Sequence, residues 1–80
     1  MTVEAVGEPR VSTSELARLL RSFEHSMSAE PPSRVVLADD SDAALAAALV
    51  ASKLLIPLSV RSATPAASRN AAVIAQLASA

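Results

Sequence analysis

Arg34-Val-Val-Leu-Ala-Asp-Asp-Ser-Asp-Ala-Ala-Leu-Ala-Ala-Ala-Leu-Val-Ala-Ser-Lys-Leu-Leu-Ile-Pro-Leu58 is the stretch whose reading decides the fold. Arg34 to Ala38 is a short β-branched run, and its continuous apolar character predicts a strand covered on both faces. It breaks into Asp39, Asp40, Ser41 and Asp42, a loop and helix cap. Ala43 to Leu55 then reads as a helix with no charge from Ala43 through Ser52. A helix apolar on every side expects to be buried on every side. Ile56-Pro57-Leu58 opens a second extended run, with Leu58 to Arg61 as the next parallel strand. The unit is strand–loop–helix–strand, with its acidic loop at the carboxyl end of the first strand, where open α/β sheets bind ligands.

Toward the amino terminus, Ser12-Thr-Ser-Glu15 has the spacing of a capping box, in which Ser12 and Glu15 satisfy each other's free backbone donors. Leu16, Leu19, Leu20, Phe23 and Met27 follow at helical spacing on one face, with Arg18, Arg21, Glu24 and His25 on the other. Pro31-Pro32 stops that helix. Residues 1–11 read as a flexible lead-in broken by Gly7 and Pro9, with Thr2 to Val6 a weak strand candidate. Toward the carboxyl terminus, residues 62–67 form a loop. Ser68 to Ala80 is a third helix, with Val73, Ile74 and Leu77 on one face. The expected fold is α/β: a small, partial Rossmann-like β-α-β unit over residues 12–80, with three helices and two to three parallel strands.

Eighty residues allow one small domain, which buries only about 60% of its unfolded surface. Half of the residues are apolar (51%), but alanine is the commonest of these, and its burial contributes little at about 25 cal/mol per Å². There is one aromatic residue, Phe23, and no cysteine, so no disulfide or Cys-based metal site can brace the fold. Covering the apolar second helix with so short a chain looks difficult. The expectation is a protein partner, a homo-oligomer or a missing remainder of the domain.

A net charge of −1 gives no basic surface for nucleic acid or anionic membrane. Lys53 and Pro57 cut the longest apolar stretch short of a membrane span. Met1 to Glu8 lacks the basic and apolar regions of a signal peptide, and the location expected is cytoplasmic. Gly7 is the only glycine, which argues against a phosphate loop or dinucleotide fingerprint. No Ser, His and acid stand in a triad pattern. His25 is the only histidine and falls on a polar helix face, so no metal and no cofactor are expected. In a parallel unit Asp39 and Asp40 leave the first strand beside Arg61 and Ser62 at the end of the second. A carboxylate there has two readings, a tuned acid or base or a helix cap aided by the macrodipole. Asp42 reads best as the cap, while Asp40 is open to either role.

In wording and order, residues 34–58 resemble the non-hydrolysing UDP-N-acetylglucosamine 2-epimerases. Asp39-Asp40-Ser41 stands where that family has a GDT loop, Leu45-Ala46-Ala47-Ala48 at its LAAA, and Lys53-Leu54-Leu55-Ile56-Pro57-Leu58 at its KLGIPV-like turn. Glu15-Leu-Ala-Arg-Leu-Leu20 is similar to the preceding family helix, and Asn70-Ala-Ala-Val-Ile-Ala-Gln-Leu77 to the NRxxIDxL helix. The resemblance runs from about Ser12 to the end. It implies a GT-B-type fold with a UDP-sugar in the cleft between two Rossmann-like domains, and carboxylates that move the C2 proton through elimination and re-addition of UDP. Asp40 carries over as the candidate catalytic acid, with Arg61 and Asn70 as candidate substrate-binding residues. The HVEAGLR stretch has no match, and Ser62 falls about where its glutamate belongs. PEExNR survives only as Pro65-Ala-Ala-Ser-Arg-Asn70, without its glutamates, and the UDP-binding second domain is absent. The resemblance therefore implies a fragment or degenerate remnant, silent alone and completed by a partner chain. The alternative is a non-enzymatic helical module that binds a protein partner.

Overall fold

A computed structural model describes residues 2–5, 10–61 and 69–79. The chain alternates strictly: β1 (Thr2–Ala5), α1 (Thr13–Ala29), β2 (Arg34–Leu37), α2 (Asp42–Lys53), β3 (Leu58–Val60) and α3 (Arg69–Ser79). The strands form one parallel sheet in the order β1-β2-β3. Val3 pairs with Val35, and Val35 with Leu58. The α/β class and the parallel strands are as the periodicity indicated, with three strands, the upper of the two to three expected. At the amino terminus the strand candidate at Thr2 to Val6 is found as Thr2–Ala5, an edge strand of the sheet rather than part of a flexible lead-in. Residues 6–9 of that lead-in, the loop 62–67, and Ser68 and Ala80 of the third helix lie outside the described residues.

The second helix is the centre of the molecule. It packs between α1 and α3 and touches all three strands. Seven of its twelve residues are buried, six of them alanines. Side chains this small let the helix axis approach the sheet closely, so Ala44, Ala47, Ala48 and Ala51 join Val35 and Leu37 in one core cluster. An all-round apolar helix is thus covered within this chain, which removes the argument for a missing remainder drawn from that helix. Leu20 and Phe23 of α1 and Leu77 of α3 pack around the same cluster.

Burial of β2 alternates, contrary to the expectation of a strand covered on both faces. Val35 and Leu37 are fully buried under the helices, Val36 is half-buried, and Arg34 is exposed. The reason is topological: the three helices form a single layer, and no described element covers the other face of the sheet. Two bonds tie β3 to β2 beyond the strand bounds. The Val35 N–H donates to the Pro57 carbonyl at 2.9 Å, and the Arg61 N–H to the Leu37 carbonyl at 2.9 Å.

Helix ends follow local chemistry. Ser12 caps α1, its Oγ accepting from the Glu15 N–H at 3.1 Å. The return half of the capping box is replaced, because the Glu15 carboxylate binds the Arg18 guanidinium instead. That hydrogen bond holds the Glu15 carboxyl below its usual range. At its far end α2 stops two residues short of the expected Leu55, in a Schellman turn. The Ile56 N–H donates to the Ala51 carbonyl at 2.9 Å, and the Leu55 N–H to the Ser52 carbonyl at 3.3 Å. This turn requires a left-handed residue, and Leu55 supplies it with φ 59°. Glycine is the usual choice there. A side chain in this conformation costs about 1–2 kcal/mol, and Leu55 recovers none of it by burial, being 90% exposed. Leu55→Gly is therefore expected to stabilise the isolated chain by about 0.5–1 kcal/mol, after glycine's own entropic cost. Chemical denaturation at low protein concentration measures this, and a destabilised variant would contradict the account.

Candidate functional site

The candidate residues meet at the carboxyl edge of the sheet. Asp40 lies in the loop between β2 and α2, Arg61 follows β3 directly, and Asn70 is in the first turn of α3. Asp40 and Arg61 are exposed, and Asn70 is half-buried. The Asn70 amide donates to the Asp40 carbonyl oxygen at 3.1 Å and to Asp42 Oδ1 at 2.7 Å. Asn70 is thus engaged in holding α3 against the acidic loop.

The three aspartates of this loop have different roles. Asp39 Oδ1 accepts from the Ser41 N–H at 3.0 Å, forming an Asx turn that bends the chain from strand to helix. Ser41, not Asp42, is the cap of α2. Its Oγ accepts from the Ala44 N–H at 3.1 Å, and the residue is only 2% exposed. The cap assignment to Asp42 is corrected accordingly: Ser41 has the extended backbone a cap needs (φ −65°, ψ 165°), and Asp42 is the first helical residue. That position frees the Asp42 carboxylate for longer reach. Its Oδ2 accepts from the Val11 N–H at 2.8 Å, 31 residues away in sequence, while Oδ1 takes Asn70.

A single carboxylate therefore bridges the segments entering all three helices. The hydrogen bond from Asn70 holds the Asp42 carboxyl below the ordinary aspartate range, aided by the Val11 N–H and the charge of Arg10, against a smaller opposing effect of burial. Sequence reasoning missed this bridge because Val11 and Asn70 each lie about 30 residues from Asp42 in the chain. The Ser41 cap, by contrast, was readable: Ser is a preferred cap, and it stands two residues before the uncharged run.

What the edge can do chemically is limited. Asp39 and Asp42 are committed to backbone and amide donors, and Asp40 is exposed at the surface of the loop. Among the described residues, no group of three His, Asp or Glu side chains could hold a metal ion, and no helix is long and apolar enough to cross a membrane. The chain matches no protein-family model, no curated protein and no solved structure.

Two variants separate the cap from the bridge. Ser41→Ala is expected to cost about 1 kcal/mol at any pH, the usual loss for a cap hydroxyl. Asp42→Asn presents an amide where two donors converge, so one of them loses its acceptor. Because folding lowers the Asp42 pKa, its contribution is complete above the unfolded-state value and fades as pH falls through the folded one. The penalty of Asp42→Asn should be clear at neutral pH and shrink below about pH 4. Denaturation of both variants across pH, with Glu15→Gln as the control for the other lowered carboxyl, checks this. An Asp42→Asn penalty independent of pH would refute the bridge.

Proposed function

We propose that this chain is a Rossmann-like module related to the amino-terminal part of non-hydrolysing UDP-N-acetylglucosamine 2-epimerases, catalytically silent alone. A UDP-sugar would meet its carboxyl edge only in assembly with a second polypeptide. Two features favour the kinship: the alternating parallel topology, and the acidic loop placed at a strand end. The observation that carries the silence is the division of labour among the aspartates. Epimerisation at C2 through elimination of UDP needs groups to take a proton from one face of the sugar, return it to the other, and assist departure of the diphosphate. Here Asp39 holds a turn and Asp42 holds three helix entrances, so neither of these carboxylates is placed for proton transfer. In such an assembly Asp40 is the acid contributed, with Arg61 as the cation nearest in topology for a diphosphate. Asn70 orients the Asp40 backbone.

The test is proton NMR of UDP-N-acetylglucosamine incubated with the purified chain. No manno epimer should form. Protein-dependent epimer formation that Asp40→Asn abolishes would overturn the silent reading. A second reading, a helical module that binds protein, is favoured by a different observation: the open apolar groove between α1 and α2.

A further inference from the structure

The bonds between β2 and β3 fix which way each peptide group of β3 points. The Pro57 carbonyl accepts from Val35, and the Arg61 N–H donates to Leu37. Peptide groups alternate in direction along a strand, so those of residues 57, 59 and 61 face β2 and those of Leu58 and Val60 face away from it. Leu58 and Val60 thus direct two donors and two acceptors along the outer edge, and no described strand lies beyond β3. Their side chains stand opposite Val35 and Leu37, on the helix-covered face. Yet Val60 is 42% exposed where Leu37 is fully buried.

The exposure comes from a mismatch of widths. The three helices lie side by side, with α2 against all three strands and α3 along β3 only. Packed helices stand about 8–10 Å apart and paired strands about 4.8 Å, so α3 overhangs β3 by roughly the width of one strand. At the start of β3 a cavity of about 270 Å³ lies between Ile56, Pro57 and Leu58 and the α3 residues Leu77 and Ala78. Leu55, left-handed and 90% exposed, lines the same cavity. No charge occurs on α3 from Asn70 through Ser79.

We propose that the outer edge of β3 takes one extended segment of a partner polypeptide, added as a fourth strand beneath α3. The occupant is a single strand because the overhang has the width of one. A second copy of this chain does not fit, since either of its edge strands would bring a helix layer of its own into the space α3 already fills. Main-chain bonds to Leu58 and Val60 hold the guest, as in other strand additions. Alternate guest side chains face α3 and the cavity. They meet Val60, Leu58 and Leu77 and no charge, so the guest carries aliphatic or β-branched residues at alternate positions. Leu55, which the turn alone does not call for, is then covered at the mouth of the slot. The site uses no group of the acidic loop, so it stands apart from the nucleotide-sugar reading.

The probe is a five-residue segment alternating valine and threonine, joined after Ala80 of the full chain by a flexible glycine–serine linker. Leu77 and Ala78 line the cavity beside Leu58, so the tether starts at the slot and holds the segment at an effective concentration on the order of millimolar. Amide hydrogen exchange followed by NMR reads the result. Exchange at Leu58 and Val60 should slow about tenfold or more against the unextended chain, because their N–H groups gain acceptors. A segment with proline at its centre should lose this effect. Val60→Pro removes a donor that β2 does not use, a place where edge strands tolerate proline, and should abolish the protection of Leu58. Leu55→Gly, which suits the turn, should weaken the protection while raising the unfolding midpoint of the unextended chain. Unchanged exchange at Leu58 and Val60 overturns the proposal. So does protection that appears along Thr2–Ala5 instead, or that survives both Val60→Pro and Leu55→Gly. Protection that grows with the concentration of the unextended chain assigns the edge to a second copy and overturns it equally.

Discussion

The Asp42 carboxylate is the point on which the arrangement of this small domain depends. Its two oxygens receive the Val11 N–H and the Asn70 amide, groups that precede α1 and begin α3. A sheet of three short parallel strands has few hydrogen bonds of its own, and parallel strands cannot be joined by tight hairpins. Each strand ends at the same carboxyl edge, where the next helix starts. One charged acceptor at that edge fixes where each helix enters, and charge-assisted hydrogen bonds are the stronger kind. Asn70 adds a further contact to the Asp40 carbonyl, so the loop and α3 are locked as a pair.

With the entrances fixed, alanine does the rest. A helix of leucines in the place of α2 would stand farther from the sheet and could not touch three strands together. Alanine at 44, 46, 47, 48 and 51 is fully buried and lets α2 lie close to Val35 and Leu37. Close packing of small residues contributes modest burial per side chain, which the larger Leu20, Phe23, Met27 and Ile74 supplement from the flanking helices. The result is a two-layer unit with one face of its sheet outside the helix layer.

Much of this was legible because it is local. The first helix, its Ser12 cap and its stop before Pro31 follow from spacing and capping chemistry. So do the strand at Val35 and the turn before Pro57. Two readings went astray for one physical reason: apolar composition reports how much a residue is buried, not by what. The uncharged second helix suggested missing mass, yet α1, α3 and the sheet suffice to surround it. The continuous Val35-Val36-Leu37 run suggested two covered faces, yet Val36 lies on the open one. The candidate residues at the carboxyl edge followed from topology, whereas their bonding did not, because hydrogen bonds across about 30 residues leave no periodic trace.

The same distinction bears on the epimerase-like wording. The alanines after the loop are demanded by close packing of α2, and Ile56-Pro57 by the turn that returns the chain to the sheet. Asp39 and Ser41 are demanded by the bend and the cap. Any parallel β-α-β unit with a close-packed helix benefits from these residue types, so they speak for architecture more than for chemistry. At position 40 the contact with Asn70 uses the backbone carbonyl, which every residue type offers. The choice of aspartate there is not explained by that contact. Leu55 is the mirror case, since the turn at that position favours glycine and the chain carries leucine. Leu55 is thus a position where the residue goes beyond what the turn requires, at the end of α2 opposite the acidic loop.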